Sequence, residues 1–118
     1  MKIGGEGMVT EIQNESDIPL TGLALIDFHA DWCGPCQMFA PVFAELEENF
    51  GDEVFFGSVD VQEKQKMAHS FGVMSIPCTL LFENGIPKEK VQGYKPYGKF
   101  ETYLEQKIES LTLTNRNK

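Results

Sequence analysis

The sequence predicts a single α/β domain, with parallel inner strands, an antiparallel hairpin at one edge and helices covering the sheet. Three observations predict it. Short apolar runs alternate along the chain with longer stretches of helical periodicity. Asn84-Gly85 stands between two apolar runs late in the sequence, which is a strong hairpin cue. The 118 residues, 42% of them hydrophobic, suffice for one core and contain no repeat, low-complexity block or dividing linker.

Residues 1–7 are glycine-rich and read as a loose leader, so the domain is placed at 8–111. Met8–Ile12 has weak strand character. Ser16–Pro19 can start a short helix, with Ser16 as its cap. Gly22–Ala30 is almost continuously apolar, which suits a central strand covered on both faces. In Gly34–Phe50 the residues Met38, Phe39, Val42, Phe43, Leu46 and Phe50 recur at helical spacing. Pro41 is expected to kink that helix, because proline removes one backbone bond, and Gly51 to stop it. Val54–Val61 reads as a second central strand and Glu63–Phe71 as a helix ended by Gly72. Thr79–Phe82, the turn Glu83-Asn84-Gly85 and Lys88–Val91 form the hairpin. Tyr97–Leu111 is an amphipathic helix with Phe100, Tyr103, Leu104 and Ile108 on one face. The polar residues 112–118 are expected to fray as a tail.

The net charge of −8 repels phosphate backbones and anionic membrane surfaces, so neither nucleic acid nor membrane is an expected partner. No apolar run reaches the roughly 20 residues that span a bilayer. The start lacks the apolar stretch of a secretory signal, which favours the cytoplasm. Three cysteines, Cys33, Cys36 and Cys78, are too few and odd in number for a disulfide scaffold.

The chemistry centres on Trp32-Cys33-Gly34-Pro35-Cys36, between the buried strand and the long helix. Two thiols two residues apart on a first helical turn can close a small ring. Unpaired amides and the helix dipole at a helix start favour a thiolate, so the Cys33 pKa should fall below the ~8.5 of a free cysteine. Thiolate is the nucleophile of disulfide exchange. Cys33 is therefore the candidate attacking thiol and Cys36, one step deeper, the resolving thiol. Gly34 allows a partner chain close, Pro35 is tolerated in a first turn, and Trp32 forms an apolar shoulder beside an exposed sulfur. A structural zinc half-site is the competing reading, although it would need a second pair of ligands and only Cys78, His29 and His69 remain. An inert buried pair is another.

Asp27 lies inside the apolar strand, six residues before Cys33. Burial without a partner should raise its pKa and make it a proton acceptor for Cys36, through water. An edge-strand aspartate facing solvent is the alternative.

These residues, together with Phe28, Ala30, Pro41, Asp60, Ile76-Pro77, Asn84-Gly85 and Gly93, resemble the thioredoxin family from about Val9 to Leu111. The resemblance implies a five-stranded mixed sheet flanked by four helices and a cis Ile76–Pro77 bond against the dithiol. It also implies that client strands pair with the backbone before that proline. By position, the docking surface is then Trp32, Gly34, Pro35, Met74, Ser75, Ile76, Pro77 and Gly93, with Tyr94 beside them. A redox-active Cys33–Cys36 disulfide is implied, with no bound cofactor or metal. Its electrons would come from a thioredoxin reductase, NADPH or ferredoxin dependent, and pass to client disulfides, the protein acting as a monomer.

Four positions depart from the family pattern. His29 replaces a usual aromatic and should share a face with Asp27, where its charge can tune the carboxylate or thiol. Ser58 replaces a common lysine near the aspartate. Gln37 replaces a common basic residue. Cys78 replaces a common threonine, either as a small core residue or as a reserve thiol for an alternative disulfide. Gly34-Pro35 is the family's reducing version, whereas oxidising and isomerising relatives usually carry histidine there. A protein-disulfide reductase is thus the leading reading. An exported oxidant or isomerase, a redox-independent binding module, and a metal or iron–sulfur carrier remain its competitors.

Overall fold

The structure is a computed structural model and describes residues 9–116, with side chains to residue 113. Five strands form one sheet: β1 (Thr10–Glu11), β2 (Leu23–His29), β3 (Val54–Asp60), β4 (Cys78–Glu83) and β5 (Ile86–Gln92), in the spatial order β1-β3-β2-β4-β5. β1, β3 and β2 run parallel; β4 and β5 are antiparallel to their neighbours and form the hairpin. Three α-helices accompany them, α1 (Gly34–Phe50), α2 (Gln65–Ser70) and α3 (Tyr97–Arg116).

Two expectations need correction. Among the described residues the sheet has three α-helices rather than four, because Glu15–Asp17 closes only a three-residue 3-10 turn. Asp17 turns its carboxylate back onto the amides of Gln13 and Asn14, at 2.9 and 3.1 Å, and Pro19 follows at once. Nor does the helix end at Leu111: α3 continues to Arg116, through most of the expected tail. No glycine or proline follows Gly98 to stop it. The expected leader at 1–7 lies outside the described residues.

β2 is buried on both faces from Leu23 to Phe28, as its apolar run requires. Its odd-numbered side chains, Leu23 and Leu25, pack under α1 and α3 with Phe39, Phe43, Leu46, Phe100 and Leu104. Its even-numbered ones, Ala24, Ile26 and Phe28, face the other core, which holds Val59, Ala68, Cys78, Leu80 and Phe82. Asn84 (φ 54°) and Gly85 (φ 81°) supply the two left-handed positions of a two-residue hairpin turn. The Asn84 side chain also accepts from the Gly22 amide at 2.8 Å, tying the hairpin tip to the entry of β2. β5 is an exposed edge, and Pro87, Lys88 and Lys90 on it discourage pairing with another chain. Pro41 sits exposed in an unbroken α1, where water can serve the carbonyl it deprives of an amide.

Phe39 joins the two long helices. It is fully buried and packs its ring against Phe43, Phe100 and Tyr94. Phe39→Ala should therefore cost about 3–5 kcal/mol of stability, read as a lower urea midpoint at an unchanged slope.

Candidate functional site

β2 delivers the chain to the site. It ends at His29, and Ala30–Cys33 makes the short turn into α1, with the Cys33 amide bonded to the Ala30 carbonyl at 3.2 Å. The Gln37 side chain steadies this turn from the helix, donating to the Asp31 carbonyl at 2.7 Å. Cys33 is the N-cap of α1, with extended backbone, and its sulfur accepts from the Cys36 amide at 3.2 Å. Pro35 falls in the first turn, where no amide is missed.

Cys33 and Cys36 are joined as a disulfide, with Cα atoms 5.2 Å apart. On its outer side the Cys33 sulfur lies 3.8 Å from the Ile76 carbonyl oxygen. The Ile76–Pro77 bond is cis. Trp32 (67% exposed), Gly34 and Pro35 ring the disulfide. A Cβ at Gly34 would meet nothing within 4 Å, so the fold leaves open room there for an approaching chain. The sulfurs are less open than the sequence suggests. Cys33 and Cys36 are each only 5% exposed, because Ile76 and Val61 pack against them. The pair lies at the floor of a dimple rather than on a ridge.

Behind the disulfide an open groove of about 530 Å³ is lined by Cys36, Asp27, His29, Ser58, Asp31 and Phe43. Cys33 lies outside its lining. Asp27 is buried in it, and its Oδ1 has no hydrogen-bond partner. Burial pushes its carboxyl from 3.8 up to about 7. Ser58, facing Asp27 across the β2–β3 pairing, brings no positive charge to oppose this. His29 is half-buried on the same groove, the face expected of it.

The remaining positions divide. Met74 (89% exposed) and Ser75 stand out beside the disulfide, with Ile76 half-buried. Pro77 is buried, so the loop presents Met74, Ser75 and Ile76 instead. Gly93 has φ 84°, a conformation that favours glycine, and its amide donates to the Pro77 carbonyl at 2.8 Å. Cys78 is the free cysteine and is fully buried in the core on the α2 side, where burial pushes its thiol up. Among the described residues no group of three His, Cys, Asp or Glu side chains could hold a metal ion.

The thioredoxin family model matches residues 8–106. The chain belongs to the thioredoxin family. A thioredoxin of Bacillus subtilis is 47% identical over 75 residues, covering 64% of this chain and 72% of the relative. One from Staphylococcus saprophyticus is 38% identical over 95 residues, covering 80% and 91%. Among solved structures, a thioredoxin mutant from Halobacterium salinarum has a TM-score of 0.78 at 31% identity, covering 90% of this chain and 94% of its own. The thioredoxin of Malassezia sympodialis matches with the same score and identity over 92% and 97%. The chain is a thiol–disulfide oxidoreductase that reduces protein disulfides. The Cys33–Cys36 pair is its redox-active centre.

Two polar features of this site are not signalled by the sequence. Thr79 pairs with Asp27 across the β2–β4 ladder, and its buried Oγ1 also has no hydrogen-bond partner. Gln92, at the end of β5, donates its side-chain amide to Ser75 and Pro77. Only strand register brings either residue to the site, and a threonine or glutamine in a strand carries no signal of its own.

The unfolded chain releases the Asp27 proton near 3.8 and the folded protein near 7. Between these values the folded state binds more protons, so stability falls as pH rises and stays reduced above about 7. Asp27→Asn should therefore raise stability at pH 8 by a few kcal/mol, about 4 at most, and leave it nearly unchanged at pH 4. Urea unfolding at the two pH values checks it.

Proposed function

We propose that Cys33 attacks client disulfides, that Cys36 resolves the mixed disulfide, and that Asp27 takes the Cys36 proton. One observation carries the assignment: the two sulfurs face different surroundings. Cys33 is turned to Ile76 and the exposed rim, whereas Cys36 shares the inner groove with Asp27.

In the reduced protein the Cys33 sulfur is the thiolate, favoured by the Cys36 amide and the positive end of α1. It attacks one sulfur of the client disulfide. A Cys33–client bond forms, the client S–S bond breaks, and the other client sulfur leaves as thiolate and takes a proton from water. Asp27 in its carboxylate form then accepts the Cys36 thiol proton, through a water in the groove. The Cys36 thiolate attacks Cys33, and the Cys33–Cys36 bond forms as the Cys33–client bond breaks. The second client sulfur leaves as thiolate and is protonated from water while Asp27 returns its proton to solvent. The client gains two electrons and the protein loses two. A thioredoxin reductase, NADPH or ferredoxin dependent, returns them by the same exchange in reverse. A carboxyl with a pKa near 7 suits this role, being able both to accept and to release a proton at neutral pH.

The client lies on the face formed by Trp32, Gly34, Pro35, Met74, Ser75, Ile76 and Gly93, its backbone pairing beside Ile76, with buried Pro77 supporting the loop from beneath. Exposed Trp32 and Met74 supply adaptable apolar contact for clients of varied sequence. The protein works as a monomer, which leaves this face free. It works in the cytoplasm, where a reducing poise keeps the pair reduced. Among the described residues no helix is long and apolar enough to cross a membrane.

With a reductase and NADPH, the wild type should reduce a protein disulfide catalytically. Cys33→Ser should give no turnover. Cys36→Ser should accumulate a Cys33–client mixed disulfide, visible by mass spectrometry. Asp27→Asn should slow resolution at pH 7 about 10- to 100-fold, and stopped-flow kinetics should place the loss after the mixed disulfide forms. A Cys33→Ser variant of full activity would overturn the assignment.

A further inference from the structure

We propose that Gln92 is a positioning residue, a side-chain clamp that holds the Ser75–Pro77 loop in register for extended protein clients and thereby separates them from small disulfides. The proposal rests on reading the face around Ile76 as the docking surface.

The side-chain nitrogen of Gln92 donates to three oxygens of one loop: the Ser75 hydroxyl at 2.9 Å, the Ser75 carbonyl at 3.1 Å and the Pro77 carbonyl at 3.3 Å. A carboxamide has two N–H hydrogens, so one of them is shared between acceptors. Its three bonds fall on the residues either side of Ile76, and none falls on Ile76 itself. Ile76 is thus held at both shoulders by its neighbours, while its own carbonyl faces the Cys33 sulfur at the site of exchange.

Gln92 is in turn fixed from both directions. It pairs with Cys78 across the β4–β5 ladder, and its carbonyl accepts from Lys95 at 2.9 Å. The loop has backbone anchors at its two ends, Val73 to Ala68 of α2 and Pro77 to Gly93. Gln92 holds Ser75 between those anchors, next to Met74, where the loop projects furthest into solvent.

Backbone pairing with a client needs the Ile76 peptide plane at a set angle. Attack on a small disulfide needs only the sulfur. Releasing the clamp therefore weakens recognition of a strand-like client and spares the exchange chemistry.

Gln92→Glu is the discriminating variant. It keeps length and shape, but a carboxylate cannot donate to the Ser75 and Pro77 carbonyls, which repel it, and keeps at most a bond from the Ser75 hydroxyl. Gln92→Ala removes the side chain altogether. For both, in the reductase-coupled assay, KM for a folded protein disulfide should rise about five- to tenfold, the loss of one or two net hydrogen bonds. The value of kcat should stay within about twofold, as should the second-order rate with a small aromatic disulfide. Unchanged KM in both variants, or a parallel fall with the small disulfide, overturns the clamp. Ile76→Asp tests the docking surface separately. If it raises KM for the protein disulfide while Gln92→Glu does not, the clamp alone fails. If Ile76→Asp leaves KM unchanged, the docking surface fails with it.

Discussion

The bond from the Cys36 amide to the Cys33 sulfur underlies the rest of the site. A helix start leaves amides without partners, and most helices fill that need with a hydroxyl or carboxylate. Here a sulfur does so. The same donor that caps the helix would stabilise a negative charge on the sulfur proposed to attack, so structural and chemical demands coincide. The cap can form only because β2 ends four residues earlier, deep in the sheet, and aims α1 at a set angle. Phe39, Phe43 and Leu46, packed on the odd-numbered face of β2, keep that angle.

The protein separates its two sulfurs by environment more than by exposure. Both are almost covered, yet one looks onto a rim of Trp32, Gly34 and Pro35 and the other onto a groove holding a buried carboxyl. Asp27 is costly to the fold at neutral pH, since nothing nearby compensates its charge. A cavity-lining residue of the same size without a charge would fold better. Its place in the middle of an apolar strand is where stability would yield to the proton transfer proposed for it.

Much of this was legible in the residues. The unbroken apolar run of β2, the spacing of Met38 to Phe50 and the Asn84-Gly85 turn each announce their element, because each depends on nearby residues. The dithiol and Asp27 were legible for the same reason, as polar or reactive groups where the local pattern calls for apolar ones. The helix count failed because Asp17 satisfies its own turn, a side-chain choice that propensity does not reveal. The end of α3 is not legible because polar composition alone does not distinguish fraying from continuation, and nothing in 112–116 breaks a helix. The depth of the disulfide depends on Ile76 and Val61, and the loop contacts of Gln92 on pairing between β4 and β5. Such relations exist only after the sheet has assembled.

The pairing of β2 with β4 has one more consequence. The reactive turn follows the end of β2 and the Ile76–Pro77 loop precedes the start of β4, so antiparallel alignment puts 43 residues of separation into a single contact. The site is in this sense a product of alignment rather than of loop shape. A slip of one residue between these two strands would shift the sulfurs past the loop by about 3.4 Å and turn Asp27 towards the opposite layer. Alterations on the exposed face of α2, at Gln65, Lys66, His69 and Ser70, can by contrast accumulate without disturbing the encounter.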